Sequence, residues 1–157
     1  MTSKITDFVA RKDQEAKRLG VPDHRKNRVE QWLGALNQLF RQIEIWLAES
    51  VVSGAASISR LKTFVHEEAY GSYETDKLLI SIAGSTISVE PMGAFVLGAN
   101  GRVDLRGSNG QQVVLILLAD GWHFTGLRSS VDKMPRMLDE DGFLSVLQQL
   151  LDRSALD

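Results

Sequence analysis

From residue 84 to residue 121 the chain places a turn signal about every ten residues, and this spacing constrains the fold more than any other feature. Gly84-Ser85 suits a two-residue hairpin turn that opens on glycine. Asn100-Gly101 and Asp120-Gly121 suit the turn that needs positive φ at both positions, and Ser108-Asn109-Gly110 makes a three-residue loop. Pro91-Met92-Gly93 is a fifth expected reversal. Between these signals strands are predicted at Leu78–Ala83, Thr86–Glu90, Ala94–Ala99, Arg102–Gly107, Gln111–Ala119 and Trp122–Leu127. Strands joined by such short loops are antiparallel neighbours. Ile58 to Glu68 is a candidate further strand at one edge, so the expectation is a six- to seven-stranded antiparallel meander over residues 58–127.

Helical patterns flank this sheet. Ser3 can cap a first segment carrying Ile5, Phe8, Val9, Ala16 and Leu19, which Gly20-Val21-Pro22 ends. Asp23 then opens a second, long helix reaching Ser50. On it Val29, Trp32, Leu36, Leu39, Ile43 and Trp46 recur at alternating spacings of 3 and 4, with Leu33, Phe40 and Leu47 widening the stripe. Such a stripe serves equally as a self-association seam or as packing across the chain's own sheet. Ser53-Gly54-Ala55-Ala56-Ser57 marks the change from helix to strand. Asp139 caps a last helix, with Glu140 and Asp141 at its positive N-terminal end. At 157 residues, with 43% hydrophobic and 24% charged, the chain fits one α+β domain over 1–157. Its parts are a helical arm at 1–52, a sheet at 58–127 and a C-terminal helix at 139–152.

Turn lengths fix register, and register sorts the faces of the sheet. The expected pairs are Ala99 with Arg102, Leu97 with Asp104 and Phe95 with Arg106; Asp104 with Val114 and Arg106 with Gln112; Leu118 with His123 and Ile116 with Thr125. One face then holds Val96, Val103, Leu105, Val113, Leu115, Leu117, Trp122 and Phe124, a core face. The other mixes Phe95, Leu97, Val114, Ile116, Leu118 and Leu127 with Arg102, Asp104, Arg106, Gln112, His123 and Thr125. Either a helix of the same chain covers its apolar half, or part of it docks a partner. In the second case Phe95, Arg102, Asp104, Arg106 and His123 are the candidate contacts, because aromatics and arginine are enriched at interface centres.

Catalytic patterns fail on spacing. His66-Glu67-Glu68 begins like a zinc-protease helix, but Tyr70 stands where the second histidine belongs. His24, His66 and His123 are scattered, and Glu67, Glu68, Glu74 and Asp76 lack calcium-loop spacing. Register sets Asp104 and His123 on the order of 15 Å apart, too far for a serine triad with Ser88. No glycine precedes Lys-Ser or Lys-Thr, so a phosphate loop is absent. No catalytic residue, cofactor or metal is therefore expected.

Charge is asymmetric although the net is only −2. Residues 11–28 carry seven bases (Arg11, Lys12, Lys17, Arg18, Arg25, Lys26 and Arg28) against three acids, while residues 51–157 carry nine bases and thirteen acids. A basic helical arm on an acidic body can meet phosphates, but without interleaved aromatics a solvated helix face, or an arm that binds an acidic partner, is the better match. The longest apolar run, Val113 to Ala119, is too short for a bilayer, and the opening MTSKITDFVARKDQ lacks the apolar stretch of a signal peptide. With no cysteine, the expected setting is a reducing cytoplasm without membrane attachment. The resulting expectation is a non-enzymatic protein-interaction module of accessory, chaperone-like or immunity type, self-associating as a homodimer through the long helix. The alternatives are a nucleic-acid-associated protein using the basic arm, and a small-ligand or metal-dependent enzyme.

Overall fold

A computed structural model describes residues 3–18, 24–94, 98–127 and 134–152, without the side chains of residues 16–18 and 24–25. Three helices come first: α1 (Lys4–Arg18), α2 (His24–Trp46) and the short α3 (Ala48–Val52). The strands are β1 (Ala56–Glu67), β2 (Gly71–Ile82), β3 (Ser85–Gly93), β4 (Arg102–Gly107), β5 (Gln112–Leu118), β6 (Gly121–Thr125) and β7 (Arg136–Met137), followed by helix α4 (Glu140–Leu150). All seven strands lie in one antiparallel sheet in sequence order, a meander between N-terminal helices and a C-terminal helix. The α+β architecture is therefore as the turn spacing predicts.

The α2 stripe is internal packing. Trp32, Leu36, Leu39, Phe40, Ile43 and Leu47 are buried, with Leu33 and Trp46 half-buried, against Leu78, Ile80, Ile87, Val89, Val103, Leu105, Val113 and Leu115 of the sheet. Trp32 meets Trp122 with ring centroids 5.9 Å apart, and Trp46 stacks on Phe143 of α4 at 5.1 Å. Of the proposed seam, Trp32, Leu36, Leu39 and Ile43 are thus enclosed by their own chain, with Trp46 partly so and Val29 half-buried outside this cluster, because one sheet face supplies the apolar area the stripe needs. The helix is also shorter than expected. It kinks at Leu47 (φ −98°, ψ 2°) into α3, though Leu47 N–H still donates to Ile43 and Leu47 O accepts from Val51.

Helix α4 lies on the same face. The Asp139 carboxylate caps it by accepting from Gly142 N–H at 2.7 Å, as predicted. Gly142 sits against the Phe124 ring and Gly107 against the Leu150 carbonyl, both closer than a Cβ allows. Asn109, at the tip of the β4–β5 loop, donates to the Gln149 and Asp152 carbonyls and accepts from Gln111 N–H. One amide therefore closes the hairpin and holds the end of α4.

Register follows expectation at Ser108–Gly110, with Arg106 opposite Gln112 and Asp104 opposite Val114. It departs at the other four, Asn100-Gly101 included, where Arg102 pairs with Gly93 and not with Ala99. Ile82 pairs with Ser85, so the turn pair is Ala83-Gly84, and Ala83 takes φ 52°. Leu118 pairs with Gly121 and Ile116 with His123, a two-residue slip that leaves every side chain on its predicted face. The largest departure is at Pro91. The chain does not reverse there; β3 runs through it with a bulge, pairing Glu90 with Asp104 and Gly93 with Arg102. Proline has no N–H to donate, and the irregularity between Pro91 and Gly93 accommodates it. The place beside β4 expected for Ala94–Ala99 is therefore taken by β3. Of that segment only Ala94 and residues 98–99 fall among the described residues; Ala99 makes an isolated bridge, and the flanking Asn100 and Gly101 exchange backbone hydrogen bonds with Leu117.

Hairpin β1–β2 is far longer than expected, because residues 71–77 are polar and show no apolar alternation. Near its base the buried residues are Ala56, Leu78 and Ile80; near its tip they are Val65, Glu67 and Thr75, of opposite parity. Pairing is continuous over all twelve pairs, so strand twist, not a slip, turns the other face inward.

Two substitutions test this packing. Leu39→Ala, at 2% exposure, is expected to cost about 2–5 kcal/mol and to lower the melting temperature without altering native mass. Ala83→Asn replaces a strained alanine with the residue favoured beside glycine in this turn. It is expected to add about 0.5–1 kcal/mol, read as a rise of roughly 1–4 °C in melting temperature.

Candidate functional site

Because α2 and α4 share one face, the opposite face of β3–β6 has no helix over it among the described residues. Three rows of residues cross it. Ser88, Arg106 and Gln112 form one; Glu90, Asp104, Val114 and Thr125 the next; Arg102, Ile116, His123 and Met137 the third. Glu90 and Ser88 stand opposite Asp104 and Arg106, where Leu97 and Phe95 were expected, since β3 is the neighbour of β4; Met137 joins the third row from β7. Phe95 itself lies outside the described residues.

Asp104 is the centre of this face. Its side chain is only 1% exposed, although it sits on the uncovered side of the sheet. Arg102 donates through Nε to Oδ1 at 2.7 Å and through a terminal nitrogen to Oδ2 at 3.2 Å, a two-pronged grip that fits a planar carboxylate. Gln112 Nε2 donates to Oδ2 at 3.3 Å, and Arg106 approaches the same oxygen at 3.6 Å. The bond to Asp104 raises the pKa of Arg102 further above its ordinary value. The two arginines close over the carboxylate while keeping 40% and 52% of their own side chains exposed.

His123 shares the face but not the cluster. It lies two strands and two residues from Asp104, on the order of 12 Å. Its Nδ1 is 3.0 Å from the Gly121 carbonyl and Nε2 is 3.6 Å from Asp120, so its ring is tied to its own turn. Of the five predicted contacts, the structure brings together Arg102, Asp104 and Arg106.

The basic arm divides. Arg11 and Lys12 are exposed on α1, and Lys12 stands 5.9 Å from the Phe8 ring centroid. Lys26 is exposed on α2; the side chains of Lys17, Arg18 and Arg25 lie outside the described set. Arg28 is instead a structural tie, donating to the carbonyls of Ala94 and Asn100.

Two further polar groups escaped the sequence reading. Glu67 is buried at the β1–β2 tip and accepts from the Tyr73 hydroxyl. Gly93 leaves it room, since a Cβ there would fall 2.8 Å from the Glu67 carboxylate. Only the unforeseen length of the hairpin brings the two residues together. Burial first, then the bond to Glu67, pushes the Tyr73 phenol well above its ordinary pKa of 10. The buried Trp32 indole N–H has no hydrogen-bond partner among the described residues. The second group is Arg60, which donates to Glu44 and Asn37, nears Asp76 at 3.6 Å and covers the Phe40 ring. It borders a cleft of about 160 Å³ between α2 and the hairpin. Lys62 also pairs with Asp76, so the acidic run at 67–76 is distributed among separate partners.

Among the described residues no three His, Asp or Glu side chains gather as a metal site, and no helix is long and apolar enough to cross a membrane. Comparison with family models, curated proteins and solved structures finds no match.

The Tyr73–Glu67 pair carries a pH dependence. A phenol whose pKa is higher in the folded chain stabilises it fully below pH 10, and that contribution is lost as pH climbs toward the raised folded value. Unfolding midpoints in urea should therefore fall above pH 10. Tyr73→Phe should cost about 1–3 kcal/mol at neutral pH by leaving the buried carboxylate one donor short, and should flatten the alkaline decline. An unchanged alkaline slope in the variant would assign the decline to other groups.

Proposed function

We propose that this chain is a non-enzymatic protein-binding module of the cytoplasm that receives a partner on the uncovered face of β3–β6. The observation supporting this reading is the pair Arg102 and Arg106, held over the buried Asp104 carboxylate with half-exposed guanidiniums. Arginine is costly to order on binding, and a fixed carboxylate beneath it lowers that entropic cost. Val114, Ile116 and Leu118, all half-buried, provide an apolar floor beside the charges, with Met137 adaptable at its edge. The arrangement suits a protein segment that offers a carboxylate to the arginines and an apolar side chain to β5.

The test compares tagged wild type with Arg106→Ala and with Ile116→Glu in pull-downs from native extract treated with nuclease. Arg106 is the arginine to remove, since Arg102 and Gln112 still satisfy Asp104 in its absence. A protein retained by wild type and reduced at least about tenfold by either variant, equal to about 1.4 kcal/mol of binding, is the expected result, with melting temperatures unchanged. Retention equal across all three proteins overturns the reading. Partners lost with nuclease alone move the function to the basic arm.

A further inference from the structure

Helix α1 is amphipathic, yet every residue from Ser3 to Glu15 is exposed. Ile5 is 76%, Phe8 54% and Val9 58% open to solvent, clustered on one side by their spacing of 3 and 4. A helix of fifteen residues is marginal in water on its own, because most helical stability comes from packing an apolar face. The stripe on α2 is already enclosed, so self-association through that helix is closed to this chain.

The chain itself carries a surface that complements α1. On α4, Leu144 is 53% exposed, and Leu147 and Leu151 follow at helical spacing, each half-buried. Asp139, Glu140 and Asp141 stand at the start of this edge, and α4 contains no basic residue. Residues Lys4–Arg18 of α1 hold five bases against three acids. An apolar edge with excess positive charge thus has its counterpart in an apolar edge with only negative charge.

We propose that α1 of one copy docks on the outer edge of α4 of a second copy, making a reciprocal homodimer. Ile5, Phe8 and Val9 then pack antiparallel against Leu151, Leu147 and Leu144, which brings Arg11 toward the acids at 139–141, with Lys12 beside it in its ion pair with Glu15. Exchange about a two-fold axis satisfies both arms and both α4 edges at once, so the assembly closes at two chains. This contact is separate from the sheet face and stands or falls independently of it.

The experiment measures native mass by light scattering over micromolar to submillimolar concentrations, at low and high salt. Wild type is expected at twice the 17.4 kDa of one chain, with dissociation several-fold easier at high salt. Phe8→Glu and Leu144→Glu each alter an exposed residue and leave the core intact; each alone should weaken the dimer at least about tenfold. Mixing the two variants should partly restore it, because one supplies an intact α4 edge and the other an intact arm. A wild type that is monomeric throughout overturns the proposal. So does a dimer indifferent to Phe8→Glu, or a Leu144→Glu protein that dimerises like wild type, the result expected if arms pair with arms.

Discussion

A meander offers two faces to the rest of its chain, and here both packed helices are drawn to the same one. The contact between α2 and that inner face determines much else. It encloses Trp32, Leu36, Leu39 and Ile43, and through Trp46 it positions Phe143 and hence α4 beside it. With apolar helix area committed to one side, the described residues that finish the other are the strands' own. That is why charged and apolar residues alternate there in rows, and why a carboxylate can be buried in the middle of an open face.

Among the described residues two buried acids, Glu67 and Asp104, are satisfied in opposite ways. Glu67 receives a neutral phenol inside the hairpin tip and is sealed there. Asp104 receives two guanidiniums whose outer atoms remain in water. Removing a carboxylate from water carries a desolvation penalty that good geometry must offset. For Asp104 the offset comes from charged partners, which remain available to a further contact. Its neighbour Glu90, directly across the ladder, keeps the cluster near neutrality and limits its attraction for a bare anion. Shape and hydrogen-bonding geometry, more than net charge, then govern what it suits.

The legible parts of this fold are those governed by local chemistry. The periodic stripe of α2, the Asp139 cap and the loop at Ser108–Gly110 each depend on residues close in sequence, and each is found where expected. Errors arose where a local signal competed with pairing over a distance. Pro91-Met92-Gly93 has the composition of a turn, but the ladder with β4 carries the strand straight through it. Asn100-Gly101 similarly reads as a hairpin, yet the partner of Arg102 is Gly93. Within the site, Arg102, Asp104 and Arg106 were accessible because alternation on one short strand puts them together. Glu67 and Tyr73 were not, since the polar stretch at 71–77 gives no sign that it is a strand.

The amide of Asn109 gives the molecule an order of assembly. Each strand of the meander pairs with its immediate predecessor, so the sheet can lengthen in the direction of synthesis with little loop-closure entropy at each step. The carbonyls to which Asn109 donates, at Gln149 and Asp152, follow all seven strands in that order. A nascent chain therefore holds a finished hairpin tip with an unfilled donor, and a half-covered inner face, until α4 emerges. The final helix acts as a latch: loss of this short segment would leave a nearly complete sheet with its apolar side ajar.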